Sequence, residues 1–151
     1  LDIVDGLVQE DSLRISWKKG HESQFYWQAD VPADFSQMEQ DGGALVMEFM
    51  INKYPKGSVT QRMDCGWPCR GEIDVTEFYK SIPLRQRSKV GISLSCFKRM
   101  GVDMEKITSP LVLVSKDEFE ITFSDVRVIA NASEDNTIQL CDSEVATLLQ
   151  D

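Results

Sequence analysis

The chain has 151 residues, 42% of them hydrophobic and 27% charged, and carries a formal net charge of −9. That length fits one domain with its own core, and no apolar run approaches the roughly 18 residues that span a bilayer. An acidic chain with scattered Lys and Arg also lacks the clustered positive charge that a nucleic-acid backbone requires. The opening, Leu1-Asp2-Ile3-Val4-Asp5, has neither an initiator Met nor a leader pattern, so the chain reads as a segment of a longer polypeptide.

Taken in order, the elements are almost all strands. Leu13 to Trp17 alternates apolar and polar residues, as a half-buried strand does. Phe25, Trp27 and Ala29 share one face of the next, with Tyr26 and Gln28 on the other. Ala44 to Ile51 is apolar on both faces apart from Glu48, which predicts a strand covered from two sides. Val59, Gln61 and Met63 then alternate with Thr60, Arg62 and Asp64, leaving one strongly polar face. Asp74 to Glu77 has the form of a capping box opening a short helix that ends before Pro83. Val90, Ile92 and Leu94 alternate again, Cys96 to Gly101 predicts one helical turn, and Leu111 to Val114 is a short apolar run.

The last strand contains a change of phase. Phe119, Ile121 and Phe123 share a face, but the apolar series resumes at Val126, Val128 and Ala130. One extra residue near Ser124-Asp125 predicts a β-bulge. About eight short strands at this spacing predict an all-β, antiparallel β-sandwich of jelly-roll type over residues 1–130. Residues 131–151 form an extension with no assigned role, in which Asp142 to Leu149 has helical character.

The chemistry concentrates at Arg62-Met63-Asp64-Cys65-Gly66-Trp67-Pro68-Cys69. Gly66 and Pro68 are turn formers, so Cys65 and Cys69 are close enough for a small disulfide ring with Trp67 at its tip, where Trp67 is either presented outward or packed on the sandwich by a stiffened hairpin. Cys96 and Cys141 are either a second bridge or, at Cys96, a buried thiol. A zinc site finds too few further ligands, because His21 is the single histidine. A Ser–His–Asp triad fails too, since His21 sits in a polar turn.

Four blocks carry a resemblance. Gln9 to Trp17, Arg62 to Cys69, Leu94-Ser95-Cys96-Phe97 with Gly101-Val102-Asp103, and Phe123 to Val128 resemble the C-terminal domain of ExoP-type exo-glucanases. These are bacterial family 3 glycoside hydrolases acting on β-1,3 and β-1,4 glucans. The resemblance runs from about Gln9 to Val128. It implies a galactose-binding-like sandwich in a periplasmic or secreted enzyme whose catalytic carboxylates lie in other domains.

Within that frame Trp67 and Tyr26 are the candidate stacking residues for a sugar ring, and Arg62 and Asp64 the candidate hydroxyl ligands. Arg62 and Asp64 are equally expected to pair with each other. Trp17 and Trp27 are in phase with apolar neighbours and predict core positions. The fold also makes a structural calcium plausible, with Asp125 and either Glu10 or Asp11 as carboxylate ligands. The competing expectation is that Asp125 bonds the disrupted backbone of its own bulge. Two functions follow. One is a carbohydrate-binding module for β-glucan; the other is a structural domain docked on the catalytic domains of the same polypeptide, with Trp67 at the interface.

Overall fold

The structure, a computed structural model, describes residues 2–5, 11–20 and 22–131. Two antiparallel sheets face each other. The strands are β1 (Asp2–Asp5), β2 (Asp11–Trp17), β3 (Ser23–Trp27), β4 (Ala44–Lys53), β5 (Val59–Asp64), β6 (Arg70–Asp74), β7 (Ser88–Ser93), β8 (Ser109–Ser115) and β9 (Phe119–Ile129). Among the described residues three short helices join them: α1 (Ser36–Gln40), α2 (Thr76–Lys80) and α3 (Leu94–Arg99). The five-stranded sheet runs β1-β2-β9-β4-β7 and the four-stranded sheet runs β3-β8-β5-β6. This is the expected antiparallel sandwich. His21, Cys141 and the segment Asp142 to Leu149 lie outside the described residues.

Alternation decides which side chains meet between the sheets. Leu45, Met47, Phe49 and Ile51 of β4 point inward against Leu111 and Leu113 of β8, and all six are buried. Ala44 and Val46 are also buried, but in a separate cluster with Ile129, which accounts for the two-faced apolar pattern of β4. Trp17 is buried and stacks on Phe119 at 5.3 Å, as its phase predicts. Trp27 packs on the core while keeping part of its surface accessible, with Phe123 edge-on at 5.8 Å.

The phase change in β9 is a bulge. Phe49 pairs with Phe123 and Glu48 with Asp125, so Ser124 is the extra residue. Its hydroxyl donates to the Glu48 carbonyl at 3.2 Å. Beyond it Val126 and Val128 turn back to the core. Asp125 does not bond the bulge backbone; its carboxylate accepts from Arg127, whose guanidinium also reaches Glu48 Oε2 at 3.0 Å.

One helix expectation needs correction. The Asp74 carboxylate accepts from the Thr76 N–H at 2.9 Å, but Glu77 does not reach back; it faces Lys80 at 3.7 Å. The start of α2 is therefore an Asx-type turn rather than a reciprocal box. Helix α1 is an addition to the elements expected from sequence, although Asp34 announces it by accepting from both the N–H and the hydroxyl of Ser36. Helix α3 ends at Arg99, and Gly101 just past it has φ of 113°, which few other residues adopt.

Candidate functional site

The outer face of the four-stranded sheet holds the predicted site residues together. Register explains why. Tyr26 of β3 and Arg62 of β5 both stand opposite Val112 of the intervening β8. On the far side Arg62 pairs with Glu72 and Asp64 with Arg70 of β6. Because one face repeats every second residue, Gln24, Tyr26, Gln28, Arg62 and Asp64 project from the same side. Together with Gly66, Trp67, Thr108 and Ser109 they line a cleft of about 390 Å³.

The loop between β5 and β6 supplies the aromatic tip. Cys65 and Cys69 form the expected disulfide, with Cα atoms 5.0 Å apart. Inside the ring the Cys69 N–H donates to the Gly66 carbonyl at 2.8 Å, and the Cys65 N–H donates to the Cys69 carbonyl at 2.9 Å. Gly66 has φ of 90° and the Trp67–Pro68 peptide is cis. Cys65 is buried at the ring's base, where its sulfur accepts from the Asp103 N–H at 3.4 Å. The ring thereby turns Trp67 outward, and 66% of that residue is exposed, against 4% of Trp17. Cys96 is buried and is not a free thiol; its candidate partner Cys141 lies outside the described residues.

Charge around Trp67 is arranged in pairs. Arg62 donates Nε to Asp64 Oδ1 at 2.6 Å and Nη2 to Asp64 Oδ2 at 3.2 Å, and its Nη2 also reaches Gln24 Oε1 at 3.3 Å. Arg70 bonds Glu72 Oε1 at 3.1 Å and the Pro68 carbonyl at 2.8 Å. The two guanidinium carbons lie 5.1 Å (Arg62) and 4.3 Å (Arg70) from the Trp67 ring centre, both within cation–π range. Trp67 is thus an exposed ring set among charged and amide groups. Tyr26, 48% exposed, is the second accessible ring of the cleft.

Chemically, this surface offers two aromatic rings with peripheral hydrogen-bond donors and acceptors. Gln24, Gln28, Arg70 and Thr108 were missed as site residues from sequence. The period-two spacing of Gln24, Tyr26 and Gln28 was a usable signal for the glutamines. Arg70 and Thr108 enter through cross-strand register and loop contacts, which local sequence does not show.

The calcium candidates are placed differently. Leu13 pairs with Phe123, so the opening of β2 and the bulge of β9 lie on neighbouring strands. Glu10 lies outside the described residues and only the backbone of Asp11 is described. Among the described residues no group of three or more His, Cys, Asp or Glu side chains is placed to hold a metal ion.

The sequence profile of a family described as galactose-binding domain-like, Exop_C, matches residues 1–128. The chain belongs to this family. Solved structures agree with the fold of the Exop_C domain. The extra C-terminal domain of an exo-1,3/1,4-β-glucanase from a Pseudoalteromonas species matches with a TM-score of 0.73 and 20% identity, over 91% of this chain and 73% of that one. The same glucanase in full gives 0.72 and 19% identity, with 91% of this chain covered but 16% of the enzyme's length. The family 30 carbohydrate-binding module of the cellulosomal cellulase Cel9D-Cel44B of Clostridium thermocellum gives 0.64 and 18% identity, over 83% of this chain and 76% of that module. No curated protein matches this chain in sequence. No helix among its described residues is long and apolar enough to cross a membrane.

Proposed function

We propose that this domain is a non-catalytic accessory module of a secreted or periplasmic family 3 glycoside hydrolase, and that the Tyr26–Trp67 cleft binds β-glucan chains. The observation that carries the reading is the surrounding of Trp67. An exposed tryptophan ringed by Arg62, Asp64 and Arg70, with Gln24 and Gln28 in the same cleft, suits a ligand that is apolar on one face and hydroxylated at its edge. A pyranose ring is such a ligand: its C–H face stacks on an aromatic ring while its hydroxyls take hydrogen bonds from amide and charged groups. A docking surface for another protein domain would instead favour a contiguous apolar patch with few charges at its centre.

Binding alone contributes to hydrolysis by raising the local concentration of glucan at the active site of the same polypeptide. The fold shared with the glucanase C-terminal domain and the family 30 module supports this reading. Isothermal titration with laminari- and cello-oligosaccharides tests it, comparing the wild type with Tyr26→Ala and Trp67→Ala. Each variant should weaken binding by about tenfold, comparable with the roughly one to three kcal/mol that an aromatic ring stacked on a nucleobase supplies. Unaltered affinity in both variants would move the site elsewhere. Absent sugar binding, with Trp67-dependent association to the catalytic domains, would establish the docking function in its place.

A further inference from the structure

Trp67 is 66% exposed, so burial does not hold its ring in place, although the Arg62 and Arg70 guanidiniums lie against it. The disulfide shapes the loop internally but does not set where the loop sits relative to β3, which carries Tyr26 and is separated from β5 by β8. Thr108 joins all three strands at this end of the cleft and also bonds the loop that carries Trp67. Thr108 precedes the first residue of β8, and its N–H donates to the Asp64 carbonyl at the end of β5 at 2.9 Å. Its carbonyl accepts from the Ala29 N–H, just past the end of β3, at 2.8 Å. Its hydroxyl accepts from the Gly66 N–H at 3.0 Å. Gly66 is the pivot of the loop, with φ of 90° and open space where a Cβ would stand. On the other side of Trp67, Arg70 holds the Pro68 carbonyl at 2.8 Å.

We propose that Thr108 is the positioning residue of the cleft: its hydroxyl fixes Gly66 and thereby sets Trp67 against Tyr26 at the spacing a sugar ligand requires. The proposal rests on the cleft being the recognition surface. Preorganisation of this kind raises affinity because the free loop has less motion to lose on binding. A hydroxyl is required, since valine matches threonine in shape but offers Gly66 no acceptor.

The test compares Thr108→Val and Thr108→Ser with the wild type by amide exchange at Gly66 and by titration with laminari- and cello-oligosaccharides. In Thr108→Val the Gly66 amide should exchange about tenfold faster and oligosaccharide affinity should fall about tenfold, the loss expected for one polar partner. Thr108→Ser should retain both to within about twofold because the acceptor is kept. Equal Gly66 exchange in the wild type and Thr108→Val overturns the proposal, as does faster exchange with unchanged affinity. Should the wild type bind no oligosaccharide, the cleft reading fails, while the exchange comparison still decides whether Thr108 fixes the loop. Should Thr108→Val not fold, an unprotected Gly66 amide in the wild type overturns the proposal, and protection shared by the wild type and Thr108→Ser supports it.

Discussion

Arg62 and Asp64 stand two residues apart on one strand and close a two-point ion pair, at 2.6 and 3.2 Å, with side chains only 12% and 17% exposed. The sequence left open whether they serve a ligand or each other. They do meet each other, and at the floor of the cleft rather than on open surface. A pair this covered is worth more than the roughly zero to one kcal/mol of an exposed one, because removing one partner leaves the other charge poorly solvated. Asp64→Asn should therefore lower unfolding free energy by about 1–2 kcal/mol in urea titrations. A change within about 0.3 kcal/mol would show that the guanidinium is satisfied without the carboxylate.

The ring closed by Cys65 and Cys69 is small, so its contribution through chain entropy sits at the low end for a disulfide, about 2 kcal/mol. Peptide mapping under denaturing, non-reducing conditions should find both cysteines bridged to each other. Selective opening of this bridge should leave the sandwich folded while increasing acrylamide quenching of tryptophan, since Trp67 sits within the ring. Free thiols at both positions in oxidised protein would contradict the assignment.

Asp125 has two competing roles. Its ion pair with Arg127, beside Glu48, accounts for the carboxylate without a metal. On that account a chelator leaves the melting temperature unchanged, and Asp125→Asn lowers stability by up to about 1 kcal/mol. A melting temperature that falls with chelator and recovers with calcium, in wild type but not in Asp125→Ala, would assign the residue to a calcium site instead.

Acid stability has a traceable contributor at the turn between β8 and β9. The Asp117 carboxylate accepts from the Gly20 N–H at 3.0 Å and the Glu118 N–H at 2.7 Å, and these bonds hold its pKa below the ordinary carboxylate value. The ionised form is the one the fold favours, so its stabilisation is present above about pH 4 and lost as pH falls through the depressed pKa. Asp117→Asn should make the loss of stability below about pH 4, followed by denaturant midpoints, less steep. Identical pH profiles would remove Asp117 from the account.

Much of this could be read in advance where the signal was local. Alternation placed Trp17 inside and Tyr26 outside, and the slipped phase after Phe123 located the bulge at Ser124-Asp125. The turn formers between Cys65 and Cys69 put Trp67 at the tip of a ring but left open whether it faces outward, as it does, or packs on the sandwich. What stayed hidden depends on contacts distant in sequence. Thr108 reaches Gly66 across 42 positions and Gln24 reaches Arg62 across 38, and no local pattern encodes either. Arg70 looks like an ordinary strand entry until the register sets it beside Asp64. Asp125 reads from sequence as a ligand of its own bulge, because its partner Arg127 emerges only once the strand beyond the bulge is built.

The central claim is that the cleft binds β-glucan through Trp67. Intrinsic fluorescence of this chain during titration with laminari- and cello-oligosaccharides reads it, because Trp67 is the most exposed of the three tryptophans, Trp17 being buried and Trp27 partly buried, and the Trp67→Ala comparison isolates its share of the signal. The account predicts a saturable change in emission in the wild type that disappears in Trp67→Ala, with that variant's stability altered by less than about 1 kcal/mol, as for other surface substitutions. An emission that no oligosaccharide changes, or a Trp67→Ala variant that binds as the wild type does, would contradict it.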